Sequence, residues 1–241
     1  MATHLLRGLV VFAIPLLALL SAPATAEAHR DDYLDETLVY LTLQHHELEL
    51  EYWFDWAQAF APPNDVLRHN VAVEYGISGH WMVDARATGE QESGSAFVFE
   101  SARLESRYRF SEEGKHALDI AVSGEVKTRR EENGALEFAL EPRLILSKDL
   151  GKLNLTLNLA EEIPLETGKP SFTPAFGFRH NTGRLLRLGS ELKYDTEVHG
   201  GSVIPQIWLA LPHGLTIKFG YSFRFGRNPI RFGRLAFEGE L

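Results

Sequence analysis

From residue 46 onward, the chain alternates between apolar and polar side chains. In the first such stretch three acidic residues and a tryptophan separate the apolar positions, which are Leu48, Leu50, Tyr52, Phe54 and Trp56. A period of two is typical of a β-strand with one apolar and one polar face. The pattern recurs to the end of the chain and is clearest in 152–161, where leucine alternates with asparagine and threonine.

The alternating stretches predict about twelve strands. An even number of strands, with both chain ends on one side, is what a single-chain bacterial outer-membrane barrel requires. We therefore predict an all-β fold, a closed antiparallel up-and-down transmembrane β-barrel that spans 46–241. The predicted strands are 46–58, 65–77, 80–88, 96–110, 116–128, 135–147, 152–161, 171–180, 184–195, 202–211, 214–226 and 230–241.

The predicted connections alternate between short turns and longer loops. Connections 78–79 and 212–214 are short, whereas 128–134 and 161–170 are longer and more polar. Outer-membrane barrels have short periplasmic turns and longer external loops, so this order supports the barrel independently of the strand count. The last connection, 227–229, is short where a longer loop is expected.

The N-terminal residues have the features of an export signal. Arg7 precedes an apolar stretch over 9–20, and the small-residue site Ala24-Thr25-Ala26 follows it. Twelve apolar residues are too few for a spanning helix, which needs about 20. We predict a cleaved signal peptide over 1–26 and an N-terminal periplasmic segment over 27–45.

Composition narrows the possible functions. The chain has no cysteine, which excludes thiolate zinc sites and catalytic thiols. Its formal net charge of −9 argues against a cationic surface for nucleic acid. A periplasmic soluble β-barrel binding protein would also show alternation, with its apolar face inward. The full charges on the polar face of most predicted strands favour the membrane barrel, in which that face lines the lumen.

The inward positions carry nearly equal numbers of acidic and basic residues. Such groups can pair across the interior, so we expect a narrow lumen rather than an open pore of one charge sign. The residues that we predict to line the lumen are Glu47, Glu49, Glu51, Asp55, Arg103, Arg107, Arg109, Glu137, Arg143 and Arg224.

The stretch Asp31-Asp32-Tyr33-Leu34-Asp35-Glu36-Thr37 leads into Glu47–Asp55. Together with the signal peptide and the repeated short hairpins, it resembles uncharacterised bacterial outer-membrane β-barrel proteins. The resemblance implies a location in the outer membrane, contact with its lipid and insertion by the barrel-assembly machinery. Barrels of this class usually end on an aromatic residue, whereas this chain ends on Leu241.

Little in the sequence indicates catalysis. The acidic positions 47, 49, 51 and 55 share one strand face, which suits a cation site or, as we prefer, a lumen wall paired with arginines. No Gly-x-Ser-x-Gly or His-x-Ser motif is present, and outward-facing Ser190 has no evident base. We predict a narrow channel, transporter or structural membrane component, with no enzyme activity, cofactor, metal or catalytic residue. The alternative is a barrel-embedded lipid-modifying hydrolase. The sequence does not identify a solute.

These predictions can be tested by fractionation. Because strands are the only elements able to span a membrane, the mature protein should sediment with outer membranes and migrate differently on gels before and after boiling. Recovery in the soluble periplasmic fraction would contradict the membrane assignment.

Overall fold

The structure is a computed structural model that describes residues 32–58, 65–226 and 231–241, except 36, 93, 132 and 184. The predicted signal peptide, 1–26, lies outside the described residues. No helix in the described part of the chain is long and apolar enough to span a membrane.

Twelve antiparallel strands form one closed barrel, in which each strand pairs with its neighbours in sequence and β1 pairs with β12. The predicted all-β barrel with about twelve strands is confirmed. The strands are β1 (Leu48–Gln58), β2 (Val66–Ser78), β3 (Trp81–Glu92), β4 (Val98–Arg109), β5 (Asp119–Arg130), β6 (Leu136–Leu150), β7 (Leu153–Pro164), β8 (Ser171–Asn181), β9 (Leu186–Asp195), β10 (Gly200–Ala210), β11 (Leu215–Phe225) and β12 (Arg231–Glu240).

The alternation in sequence becomes an alternation in burial. On β5 the side chains of Ala121 and Glu125 are buried inside the barrel, whereas Ile120, Val122 and Val126 are exposed on its outer surface. This is the arrangement of a transmembrane barrel, because every strand is hydrogen-bonded to two neighbours and the side chains that face lipid are mainly apolar.

Several strands are longer than predicted. The third strand extends to Glu92 rather than 88, since Glu90 and Glu92 pair with Arg68 and Val66 of β2. The seventh extends to Pro164 rather than 161. The end of β3, Glu90-Gln91-Glu92, is polar on both faces, and the end of β7 contains Pro164, so hydrophobic alternation does not mark either end. The fifth strand begins later than predicted, at Asp119, which lengthens the connection from β4.

The barrel has two distinguishable ends. The end that we call the turn end carries the tight connections 79–80 and 151–152, and the chain enters β1 there. The opposite end, the loop end, carries the connections from β3 to β4, from β5 to β6 and from β7 to β8.

The residues before β1 lie inside the barrel. Residues 32–35 and 37–43, which we call the plug, form no strand and contact side chains from both halves of the barrel wall. The sequence predicts 27–45 as an N-terminal periplasmic segment, and the described residues of that segment lie inside the barrel up to residue 43. The physical reason is that apolar plug residues pack on small or apolar lumen residues; Tyr40 and Leu38, for example, cluster with Ala121 and Ile145.

The facing of the strands can be tested on β7. Leu157 lies mid-strand on the outer face, beside Leu146 and Phe176. Leu157→Arg should lower the free energy of unfolding by roughly 2–4 kcal/mol, because it places a charge near the membrane midplane. Leu153→Arg on the same face, at the turn end, should cost about 1 kcal/mol or less. Urea titration of protein refolded in lipid vesicles measures both, and equal losses would contradict the assigned depth.

Candidate functional site: the lumen and its plug

Glu191 of β9 forms several hydrogen bonds with the plug. Its carboxylate accepts hydrogen bonds from the backbone N–H of Asp35 at 2.7 Å and of Thr37 at 2.8 Å, and from the Thr37 hydroxyl. The Gln206 amide donates a fourth, at 2.8 Å. Glu191 is fully buried. All four donors are neutral groups, and three of them belong to the plug. Their hydrogen bonds replace the water that the buried carboxylate has lost.

Other wall side chains satisfy the plug backbone in the same way. The Asn158 side chain accepts from the Leu38 N–H and donates to the Leu38 carbonyl, both at 2.8 Å. Gln206 accepts from the Leu34 N–H at 3.0 Å, and Arg234 donates to the Leu34 carbonyl. Within the plug the Tyr33 N–H donates to the Thr37 carbonyl at 3.1 Å. Because a segment without secondary structure leaves other buried backbone groups without a neighbouring strand, the wall supplies their partners.

Arg107 of β4 joins the plug to the wall by charge. Its guanidinium binds both carboxylate oxygens of Asp32, at 3.1 and 2.6 Å. It also donates to the carbonyls of Val39 and Leu41 and pairs with Glu105 at 3.2 Å. A bidentate arginine–carboxylate pair is a strong, directional contact. Arg107 therefore fixes both ends of the plug.

Two lumen-facing glycines make room for plug side chains. A Cβ atom at Gly177 would lie 2.5 Å from the Tyr33 ring, and one at Gly220 would lie 2.7 Å from Leu34 Cδ1. Tyr33 packs edge-on against Trp208, with ring centroids 5.7 Å apart. The plug is therefore matched to the wall in shape as well as in polarity.

The Tyr33 hydroxyl lies deep in the lumen. Burial raises its pKa, so the hydroxyl stays protonated and donates to Asn154 Oδ1 at 3.2 Å.

Little free space remains beside the plug. Two cavities between plug and wall have volumes of about 30 and 20 Å³. A water needs roughly 10–15 Å³, so each has room for only one or two waters. Towards the loop end the lumen widens into a cavity of about 520 Å³, which we call the vestibule, and Asp35 and Arg234 lie on its lining. At the level of the plug the lumen is closed to solutes.

The structure locates each residue that the sequence analysis predicted to line the lumen. Three of them, Glu47, Arg103 and Glu137, are half-buried, and Arg224 is exposed but lines the vestibule. The fully buried ones are Glu49, Glu51, Asp55, Arg107, Arg109 and Arg143.

The predicted residues belong to several separate ion pairs. Asp55 pairs with Arg234, and Arg143 pairs with Glu141. Arg103 lies 4.0 Å from Glu125. Sequence reasoning did not single out Glu191, Asn158 or Gln206 as site residues, because their partners lie in the plug, more than 100 residues away.

One acidic group has the geometry for a cation. Carboxylate oxygens of Glu49, Glu51 and Glu74 all lie within 4.8 Å of one another, and the three side chains are buried. Glu51, however, already has cationic partners, Arg86 at 3.2 Å and Lys218 at 3.5 Å. Protein side chains thus supply positive charge to this group.

Comparison with known proteins supports the fold. No family model and no curated protein sequence matches this chain. Among solved structures, the KdgM porin has a TM-score of 0.62 at 8% identity, over 79% of this chain and 98% of its own. The outer membrane channel from Pseudomonas putida F1 has a TM-score of 0.59 at 9% identity, over 88% and 100%. The NanC porin has 0.57 at 11%, over 80% and 100%. These similarities define the class of fold, a porin-like β-barrel.

The Arg107 contacts generate a stability prediction. Arg107→Ala leaves the carboxylates of Asp32 and Glu105 buried without this cation, which should lower the free energy of unfolding by about 3–5 kcal/mol. The matched control is Arg129→Ala, which removes a 56% exposed side chain paired with Glu162 and should cost about 1 kcal/mol or less. Urea unfolding of the refolded protein measures both. Equal, small losses would contradict the structural role of Arg107.

Proposed function

We propose that this protein is an outer-membrane channel or transporter for small solutes, closed by its own plug in the state described. The observation that carries the proposal is that a vestibule of about 520 Å³ ends on a plug that forms no strand. The fold shared with the KdgM and NanC porins supports the same class of function.

The contacts of the plug allow it to leave without unfolding the barrel. Strands β1 to β12 close on each other through their own ladder, and the plug takes no part in it. Its described polar contacts with the wall use side chains such as Glu191, Asn158 and Arg107, which water can solvate once the plug has left. Displacement would turn a closed lumen into a polar passage.

The location follows from the same features. An apolar exterior requires lipid, and the signal peptide predicted over 1–26 directs export. We assign the turn end to the periplasm, because outer-membrane barrels have short periplasmic turns. The plug then enters the lumen from the periplasmic side, and the vestibule opens outward. Insertion would use the barrel-assembly machinery.

A structural membrane component is the second candidate. It is favoured by the small volume left beside the plug, about 30 and 20 Å³. The two functions differ in one measurable property, because only a channel conducts when the plug is displaced.

Substitutions at the glycines that accommodate the plug test the channel. Gly177→Val places side-chain atoms where Tyr33 lies, and should raise planar-bilayer conductance severalfold above the low wild-type level. Gly124→Val is the control. Its added Cβ meets nothing within 4 Å, so conductance should stay at the wild-type level.

A compensating change makes the test specific. Gly177→Val combined with Tyr33→Ala restores space and should return the conductance towards the wild-type value. Gly220→Val with Leu34→Ala provides an independent pair if the first variant does not refold. Refolded Gly177→Val and Gly220→Val barrels that conduct no more than wild type would overturn the proposal and favour the structural role.

A further inference from the structure

The vestibule has an uneven distribution of ion pairs. Its lining includes eight cationic and seven acidic side chains. Six of the cations lie within 4.0 Å of a carboxylate. They are Arg68, Arg103, Lys127, Arg129, Arg143 and Arg234.

The other two cations, Lys193 and Arg224, have a different environment. Lys193 Nζ donates to the Asp35 carbonyl of the plug at 3.3 Å. The Arg224 guanidinium lies 5.2 Å from the centre of the Phe232 ring. Neither has a carboxylate within 4 Å among the described residues. Their positive charges are therefore not neutralised by direct ion pairs there.

Two acidic side chains, Glu191 and Asp195, share the inward face of β9 with Lys193, and neither forms an ion pair with it within 4 Å. The Glu191 carboxylate is close enough to interact with the Lys193 charge, but its hydrogen bonds go to the plug and to Gln206. Asp195 accepts hydrogen bonds from the Ser171 hydroxyl at 3.2 Å and from the backbone N–H groups of Glu197 and Val198 at 2.8 and 3.3 Å. These bonds hold its carboxylate against the loop that follows β9.

The register of the barrel places the two cations on the strands that flank β10. Ser202 of β10 pairs with Lys193 on one side and with Arg224 on the other. Neighbouring strands are about 4.8 Å apart, so the two backbones are separated by roughly 10 Å. Both side chains are long enough to reach a common point between them.

We propose that Lys193 and Arg224 form a binding site for a small oxyanion, a solute that carries a carboxylate or a phosphate group. An arginine fork and a lysine point charge complement such groups, and hydrogen bonds from charged donors are about twice as strong as neutral ones. The vestibule volume of about 520 Å³ lies within the usual range for small-molecule sites, about 300–1,000 Å³. In the channel proposed above, this site defines the class of solute that is transported. That transport role rests on the proposed function, whereas binding of the anion does not.

Binding is measured on the refolded full-length protein in detergent, where no conduction is needed. The probes are glutarate and inorganic phosphate, and glutaramide is the neutral control. Isothermal titration calorimetry at constant ionic strength should show saturable binding of at least one anion and none of glutaramide. The anion that binds more tightly distinguishes a carboxylate from a phosphate site.

Single substitutions locate the site. Lys193→Gln and Arg224→Gln should each weaken anion binding roughly tenfold, since each removes one charged hydrogen-bond donor. The glutamine amide at 193 still offers a donor to the plug carbonyl. Arg129→Gln is the matched control, because it removes the same charge from the vestibule and should change affinity less than twofold.

Two outcomes overturn the site: no saturable anion binding by the wild type, or equal weakening by all three substitutions, which would indicate only the net charge of the cavity. Anion binding without conductance in the plug-displaced variants would keep the site and reject the channel. Conductance without anion binding would keep the channel and reject the site.

Discussion

The interior of this barrel must solvate charges with protein groups. A closed ladder in lipid requires apolar side chains outside, so the alternate positions on twelve strands project polar and charged groups into a narrow space. Each buried charge loses its hydration and needs a partner. Part of this need is met by ion pairs on the wall, such as Asp55 with Arg234. Another part is met by the plug, which donates to Glu191 and accepts from Arg107.

The plug suits this role because it brings unpaired backbone groups. Glu191 receives two backbone N–H donors and one hydroxyl from the plug, and Arg107 donates to two plug carbonyls. In a strand at the same place, those backbone groups would form hydrogen bonds with neighbouring strands. Irregular backbone and a charged wall are therefore complementary, and each satisfies groups that the other leaves open.

The sequence predicts the barrel well and the plug poorly, for a physical reason. Strand facing is local, because side chains two residues apart share a face, so the run from Leu153 to Leu159 shows its orientation directly. The plug has no such signal. Its apolar residues between 33 and 43 follow neither the two-residue period of a strand nor the 3.6-residue period of a helix. Their partners, such as Asn158, are 120 residues away. The individual lumen residues fall between these cases, since alternation predicts that Arg107 points inward but not that it meets Asp32.

The same constraint explains why Gly177 and Gly220 stand at inward positions of β8 and β11. Glycine weakens a strand interior, because it has no side chain to pack and is less restricted when unfolded. Here each glycine lies beneath a plug side chain, Tyr33 or Leu34, at a distance that a Cβ atom could not share. The strands thus lose local stability where the plug gains close packing. In the channel that we propose, these glycine contacts are the ones that separate when the plug leaves, whereas the hydrogen bonds between the strands stay intact.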